Sequence, residues 1–383
     1  MIRYCTHCLL PETKPDLLFD ERGWCSACYR FEQRGSVNWT LRREILQRIV
    51  AEQKKKNRQW DCIVPVSGGK DSTYQVLTAI RLGLRPLAVT AMTCDLSDLG
   101  RRNLDNISRL GVDHIIVSPN KSVRAQLNRI GLYEVGDISW PEHVSIFTIP
   151  VQVAVDRGID LILWGENSQD EYGAGPADAA RRSVLDRRWL EEHGGLLGLR
   201  VSDLTETYGI PREDLGPYLY PDASDVGALG LQGLFLGHFF PWDGWRNMEV
   251  ARLNGFRFAE SEVEGTGANY ENLDNFQAGV HDYFKYLKFG FSRATDLMSS
   301  AIRRGRISRD AGLELVRRVD GRYPASYLSE PLAAILARVG ISDEKFNQAC
   351  EKFTNRRLFR VDAQGAIVRR SDGSPEKTND DNC

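Results

Sequence analysis

Ile63-Val64-Pro65-Val66-Ser67-Gly68-Gly69-Lys70-Asp71-Ser72-Thr73-Tyr74-Gln75-Val76-Leu77 reads as a strand, a turn and a helix in direct succession. The apolar run Ile63–Val66 ends in two glycines, and a helix-like run opens at once. Such a turn aims backbone N–H groups and the positive end of a helix dipole at one point, where an anion can sit. The glycines let the backbone approach that anion closely, the serines add hydroxyl donors, and Lys70 adds a point charge. The spacing is not that of the Walker loop, which needs four residues between its first Gly and Gly-Lys-Ser/Thr. An ordinary Gly-rich turn is the plainer reading, and the complete Ser67–Ser72 string weighs against it.

The pattern continues on either side. Strand-like runs at Asp61–Val66, Pro86–Met92, His114–Val117 and Asp160–Trp164 alternate with helix-like runs to about Leu82, at Leu99–Leu110, near Val123–Ile130 and at Val144–Asp156. A further strand candidate is Leu234–Leu236. Short β runs separated by helices predict an α/β fold with a doubly wound parallel sheet over residues 61–240. Ligands on such sheets bind beyond the carboxyl ends of the strands. Two other strand ends carry polar residues there: Thr93-Cys94-Asp95 and the loop Gly165–Gly173. Residues 241–360 read as a helical C-terminal region, with candidates at Asn247–Asn254, Asn269–Phe289, Ser308–Val319 and Leu332–Val339. Residues 361–383 turn polar and charged, which predicts a disordered tail.

Four of the eight cysteines, Cys5, Cys8, Cys25 and Cys28, fall in the first 35 residues as two Cys-x-x-Cys pairs. A hairpin-like spacer can bring the pairs together, and four thiolates suit a tetrahedral Zn²⁺. An iron–sulfur centre or a redox thiol set is the alternative. Four protein ligands leave no open position, so the zinc is expected to be structural, and it would supply much of this short module's folding energy, on the order of 10 kcal/mol. Residues 36–60 read as a helical connector. Its stretch Leu41–Arg58 carries seven Lys/Arg, a solvated helix face or a docking surface. The 383 residues suggest two or three domains, and 42% hydrophobic with 27% charged residues is a globular composition. A net charge of −2 gives no global field for nucleic acid. No apolar run is long enough to span a membrane, and Met1–Cys5 has no signal core, which predicts a cytoplasmic protein.

Asp71 can ligate Mg²⁺ or simply complement the helix N-terminus. The Gly165–Gly173 loop groups Glu166, Asp170 and Glu171. There Glu166 can bind Mg²⁺ or position ammonia, and Asn167 can touch substrate; a solvated loop is the plainer alternative. In His281-Asp282-Tyr283-Phe284-Lys285-Tyr286-Leu287-Lys288-Phe289-Gly290-Phe291-Ser292-Arg293, helical spacing puts His281, Lys285 and Lys288 on one face. Arg293 follows a Gly that can end the helix. That face suits a phosphate or carboxylate, or is an ordinary surface over core aromatics. His281 alone makes no case for a general base. Glu264–Tyr270 is a Gly-rich loop that suits a sugar or simply enters a helix, and Cys94 fits a buried inert thiol better than a reactive one.

The Ser67–Ser72 string resembles the PP-loop of ATP pyrophosphatases, which split ATP between its α and β phosphates. Together with the Cys-x-x-Cys pairs, the Trp-Gly-Glu-Asn loop and His281–Arg293, it makes the chain resemble the N-acetyl sugar amidotransferases of lipopolysaccharide and surface-glycan biosynthesis, from Tyr4 to about Asp296. The resemblance implies an N-type ATP pyrophosphatase (HUP-like) fold with an N-terminal zinc ribbon. It implies an ATP-binding set of Ser67, Gly68, Gly69, Lys70, Asp71 and Ser72, to which Asp95 and Gly165 are added from their places at predicted strand ends. It also implies a catalytic set of Lys70, Asp71, Glu166, Asn167, Lys285, Lys288 and Arg293. ATP would adenylate the acetamido oxygen of a nucleotide-activated sugar, Mg²⁺ would neutralise the departing pyrophosphate, and ammonia would replace the activated oxygen to give an acetamidino sugar. The chain begins Met1-Ile2, without the N-terminal cysteine of one glutaminase class. The resemblance implies that ammonia comes from separate subunits similar to the glutaminase and cyclase of imidazole glycerol phosphate synthase.

Two other classes fit parts of the sequence. A PP-loop tRNA thiolation enzyme would need sulfur-carrying cysteines, for which the body offers Cys62 and Cys94 without a Cys-x-x-Cys. A non-catalytic nucleotide-binding module would explain the loop but not Lys70-Asp71 together with a carboxylate loop at another strand end.

Overall fold

The computed structural model describes residues 2–166, 171, 199 and 201–378. Five strands, β1 (Cys62–Pro65), β2 (Pro86–Ala91), β3 (Asp113–Val117), β4 (Leu161–Trp164) and β5 (Gln232–Phe235), form one parallel sheet in the order β3-β2-β1-β4-β5. Ile63 pairs with both Leu87 and Ile162, so β1 is central. The order reverses between β1 and β4, which opens a crevice at their carboxyl ends.

The helices of this part are α1 (Ser26–Gln33), α2 (Trp39–Lys55), α3 (Lys70–Arg81), α4 (Asp98–Arg109), α5 (Lys121–Val135), α6 (Trp140–Arg157), α7 (Val201–Tyr208), α8 (Ala223–Leu229) and the short α9 (Leu236–Phe239). Of these, α2, α3, α4 and α9 pack on one face of the sheet and α6 and α8 on the other, α5 and α7 pack with α6, and α1 belongs to the cysteine module. Strand periodicity divides the core. Val64, Leu163 and Leu234 pack with Leu46, Val50 and Val76 of α2 and α3. Ile63, Leu87, Ile162 and Phe235 face Ile149 and Val153 of α6. Each such aliphatic side chain contributes about 1.5–3 kcal/mol on burial, which is why these strands are apolar on both faces.

The basic connector forms α2, capped by the Asn38 side chain accepting from Leu41 N–H at 3.0 Å. Part of its charge is used internally: Lys56 and Arg58 pair with Asp160 at 2.5 and 2.9 Å, and Arg42 donates to the His238 carbonyl at 2.8 Å.

The C-terminal region comprises α10 (Gly244–Leu253), α11 (Ala278–Phe289), α12 (Arg293–Arg303), α13 (Arg309–Val319), α14 (Leu332–Arg338) and α15 (Asp343–Phe353). Phe284 and Leu287 of α11 pack with Leu132 of α5 and with Leu336, Phe346 and Cys350 of α14 and α15. The expected boundary at residue 240 is no gap, because Asn247 of α10 donates to Asp71 of α3 at 2.8 Å.

Three expectations change. The helix expected over Asn269–Phe289 begins only at Ala278, because residues before it pair with the loop after β2: Ser97 N–H donates to Asp274 O at 3.0 Å and Phe276 N–H to Asp95 O at 3.1 Å. Helices α12 and α15 add to the expected set; α15 opens with Ser342 as N-cap, accepting from Lys345 N–H, and with Asp343 and Glu344 in its first turn. The tail expected to be disordered from Val361 is folded as far as Thr378, with bridges Val361↔Ile367, Arg369↔Pro375 and Phe359↔Lys377 and with Ile367 and Ser374 buried.

Candidate active site

The Ser67–Ser72 loop leaves β1 beside the strand-order reversal. Gly68 has φ +86°, a region that L side chains avoid. A Cβ there would lie 2.7 Å from Leu104 N and 2.8 Å from its Cα, so only glycine lets the loop rest on α4. Gly69 is extended at φ −69° and caps α3. Its carbonyl accepts from the hydroxyls of Ser72 and Thr73, each at 3.0 Å, which pins the first turn of the helix. The early N–H groups of α3 have no partners inside the helix, so they supply the anion-binding end.

Lys70 Nζ lies 3.0 Å from Asp71 Oδ2 and 2.5 Å from Glu271 Oε1. Burial opposes its charge most strongly, yet Asp71 and Glu271 outweigh it and raise the ammonium above its ordinary range. Asp71 Oδ1 accepts from Asn247.

This loop lines a cavity of about 240 Å³. Its far wall is Tyr270–Asp274, followed by Arg293, Asp296, Leu297 and Ser300 of α12. Gly100 of α4 admits the Asp274 backbone: a Cβ there would meet Asp274 Cα at 2.6 Å. Asn272 holds φ +51° in the same wall, a conformation asparagine tolerates better than most residues. A second cavity of about 490 Å³ shares Ser67, Asp71, Ser72, Glu166, Asn272, Asp274 and Arg293 with the first. Its floor is the carboxyl ends of β1, β2, β4 and β5, and its side is Ile146, Phe147 and Pro150 of α6. The pair offers a charged compartment joined to a more apolar one, on the scale of roughly 300–1,000 Å³ typical of small-molecule sites.

Carboxylates dominate the charged compartment. Burial, with Asp71 and Glu171 nearby, pushes Glu166 up to about 8. Burial also raises Asp274. Burial would raise Glu171 too, but Arg34 at 2.5 Å and Arg304 at 2.9 Å hold it low, and Arg303 donates to its carbonyl at 2.8 Å. Asp71, Glu166 and Asp274 line the same compartment as the anion loop, and carboxylate oxygens are the ligand type that Mg²⁺ would take there.

The four ribbon cysteines are buried, with Sγ separations of 3.7 Å for Cys5–Cys28, 3.6 Å for Cys8–Cys25 and 3.5 Å for Cys25–Cys28. Thiolates at about 2.3 Å from one tetrahedral zinc would stand about 3.8 Å apart, so the set fits that ion closely. Backbone N–H groups of Cys8 and Cys25 donate to Cys5 Sγ at 3.4 and 3.2 Å. The module docks on α12: Leu9 N–H donates to Ser299 Oγ at 3.2 Å, and buried Arg303 lies in the field of Cys8 and Cys28.

The expected site residues therefore separate. Ser67, Gly68, Gly69, Lys70, Asp71, Ser72, Gly165, Glu166 and Arg293 line the joined cavities. Asn167 and Asp170 lie outside the described residues. Asp95 lines neither cavity; it is buried against Arg338 at 2.7 Å. Lys285 also lines neither. It pairs with Asp296 and sits 4.8 Å over the Phe291 ring, against the ribbon. Lys288 donates to the Val135 carbonyl at 3.2 Å. Cys62 and Cys94 have thiols raised by burial, the wrong direction for sulfur nucleophiles. Glu271, Asp274 and Asn247 join the site without a sequence signature, since isolated polar residues in loops and helices give no periodic signal.

Fold and cavity thus define a doubly wound α/β protein with a phosphate-type loop at the switch point and a closed four-cysteine module. Residues 264–370 match the family model described as "LPS biosynthesis protein WbpG-like, C-terminal domain". That match supports the resemblance to a lipopolysaccharide-biosynthesis family and overlaps the segment His281–Arg293 that carries part of it. No curated protein matches the chain. Among solved structures, the NMN synthetase from Francisella tularensis is similar at 11% identity over 59% of this chain and 99% of its own, with a TM-score of 0.28. Among the described residues no helix is long and apolar enough to cross a membrane.

Proposed function

We propose that this protein is an ATP-dependent amidotransferase of lipopolysaccharide or surface-glycan biosynthesis that turns the acetamido group of a nucleotide-activated sugar into an acetamidino group. The observation that carries the reading is the joined cavity. Its charged compartment places the Ser67–Ser72 loop and Lys70 opposite Glu166, Asp274 and Arg293, and the wider compartment has room for a nucleotide or sugar. The amide oxygen attacks the α-phosphorus, an O–P bond forms, and the bond to the β-phosphate oxygen breaks. Loop N–H groups and Lys70 take up the charge of the departing pyrophosphate. Magnesium, when bound, neutralises that leaving group. Ammonia then adds to the activated carbon and AMP leaves with the former amide oxygen. Zinc has no step, because the four cysteines fill its coordination. Ammonia is supplied by separate glutaminase and cyclase-like subunits.

The test is ATP–pyrophosphate exchange across a panel of acetamido-sugar nucleotides, followed by mass spectrometry of the sugar after ammonium is added. Exchange that requires the sugar, and a product with oxygen replaced by NH, are expected. No sugar-dependent exchange and no AMP release over the panel would reject the reading. Full turnover on low free ammonium without any partner would reject the ammonia-supply part alone.

A further inference from the structure

The wider cavity has a second polar wall, remote in sequence from the loop. Asp137, in the turn between α5 and α6, is 2% exposed. Its Oδ1 accepts from Ser139 N–H at 2.9 Å and from His281 Nδ1 at 2.8 Å, and its Oδ2 accepts from His143 Nδ1 at 3.0 Å. One carboxylate thus anchors two imidazoles, from α6 and α11. The rings meet edge to face with centroids 4.9 Å apart. Both line the cavity that also holds Ser67, Asp71, Glu166 and Arg293.

A carboxylate that receives both Nδ1 atoms selects the tautomer with hydrogen on Nδ1, so Nε2 carries the lone pair. Neither Nε2 makes a hydrogen bond to any described residue. The side chains are 32% and 25% exposed while the carboxylate behind them is buried, so their unanchored ends are the cavity ends.

We propose that His143 and His281, oriented by Asp137, accept the proton released when ammonia adds to the activated sugar carbon. The proposal rests on the adenylation reading above. In this step the ammonia nitrogen bonds to the carbon of the protonated O-adenylyl imidate. The adduct's new ammonium nitrogen gives one proton to an imidazole Nε2. The carbon–oxygen bond then breaks, with its electron pair leaving on AMP, and the amidinium forms. Charge balances, and the imidazolium later returns its proton to water. Asp137 stabilises that imidazolium, and since it is one charge beneath two rings it favours one added proton over two. The other charged groups facing the pair are Glu142 beside His143 on α6, Arg293 across the cavity, and Lys288 near Asp137 on α11.

The experiment uses the full chain with ammonium chloride as nitrogen source. Sugar-dependent ATP–pyrophosphate exchange and acetamidino product are measured in parallel for the parent, His143→Gln, His281→Gln, the double variant and Asp137→Asn. General-base removal is worth about 10²–10⁴-fold. The ratio of nitrogen transfer to exchange is expected to fall by about that factor in the double variant and to lose its acid limb with pH. An equal fall of exchange and transfer would overturn the proposal, since it would mean a structural or substrate-binding role. A second tightly bound divalent metal per chain, absent from the double variant, would also overturn it by making the pair metal ligands. Imidazole ¹⁵N NMR gives a readout independent of turnover: two rings with hydrogen on Nδ1 support the proposal, and hydrogen on Nε2 in both refutes it. Absence of exchange in the parent would instead defeat the adenylation reading and leave the NMR result standing.

Discussion

Of the two adjacent glycines in the phosphate loop, only one has to be glycine for the fold. Gly68→Ala places a methyl 2.7 Å from Leu104 N and 2.8 Å from its Cα. Carbon contacts are comfortable at about 3.5–4.0 Å, so the overlap approaches about 1 Å. The obstacle is helix backbone, which cannot rotate aside. The left-handed φ of +86° adds about 1–2 kcal/mol for any residue with a Cβ, and overpacking adds about 1–3 kcal/mol. Together these predict a loss of about 2–5 kcal/mol, either as stability or as loop displacement. Gly69→Ala is the control. Its φ is −69°, and its Cβ would meet only Ser67 Oγ at 3.3 Å. The loss there is that of a weaker N-cap, about 1 kcal/mol or less. Thermal unfolding and ATP titration calorimetry on both variants provide the assay. Gly68→Ala is expected to melt lower and to bind ATP at least about 30-fold more weakly, the equivalent of about 2 kcal/mol. If Gly68→Ala melts and binds like the parent, the packing of the loop on α4 is not what holds the phosphate site.

Glu166 gives a pH prediction. Its carboxyl is raised from 4.5 to about 8 by burial and neighbouring carboxylates, so the folded state holds its proton more tightly than the unfolded state does. Stability is therefore lost as pH rises from about 4.5 to about 8 and is level above that. Glu166→Gln should remove the slope and be the more stable protein above that range in denaturant titrations without Mg²⁺; an unchanged slope would place the titration elsewhere. Zinc analysis should return one equivalent per chain, and Cys25→Ser with Cys28→Ser should abolish it and unfold the ribbon, since such sites supply on the order of 10 kcal/mol of folding energy. Retained zinc in that variant would refute the four-cysteine assignment. Lys285→Met removes the partner of buried Asp296, and losing one member of such a pair costs up to about 3–5 kcal/mol; Lys285 itself lines neither cavity. A lower melting temperature with an unchanged KM for ATP is expected, and the reverse pattern would return Lys285 to the catalytic set.

Ser67–Ser72 and the four cysteines are legible in the sequence because their chemistry is local: one turn, or two short knuckles, fixes the donors. The parallel sheet is legible from apolar runs alternating with helices. Lys285 and Lys288 show where that logic stops. Helical spacing correctly gives Lys285 and Lys288 a common side of α11, but periodicity does not say what packs there, and the partners are Asp296 with Phe291 and the end of α5. Glu271 and Asp274 reach the site only because Gly100 lets their loop lie on α4, a long-range fit with no local signature. His143 and His281 are single histidines in separate helices, and only the fold puts both on Asp137.

Helix α12 belongs to two neighbourhoods at once. Asp296, Leu297 and Ser300 look into the phosphate cavity, while Ser299 and Arg303 hold the cysteine module. Where two binding events prefer different positions of one rigid element, each changes the other's affinity by the same factor. A metal held by the four cysteines would thus be more than ballast for the N-terminus. If nucleotide binding shifts α12, it would alter how readily that metal is given up, and the rate of metal capture by a chelator would report on an occupied cavity some distance away.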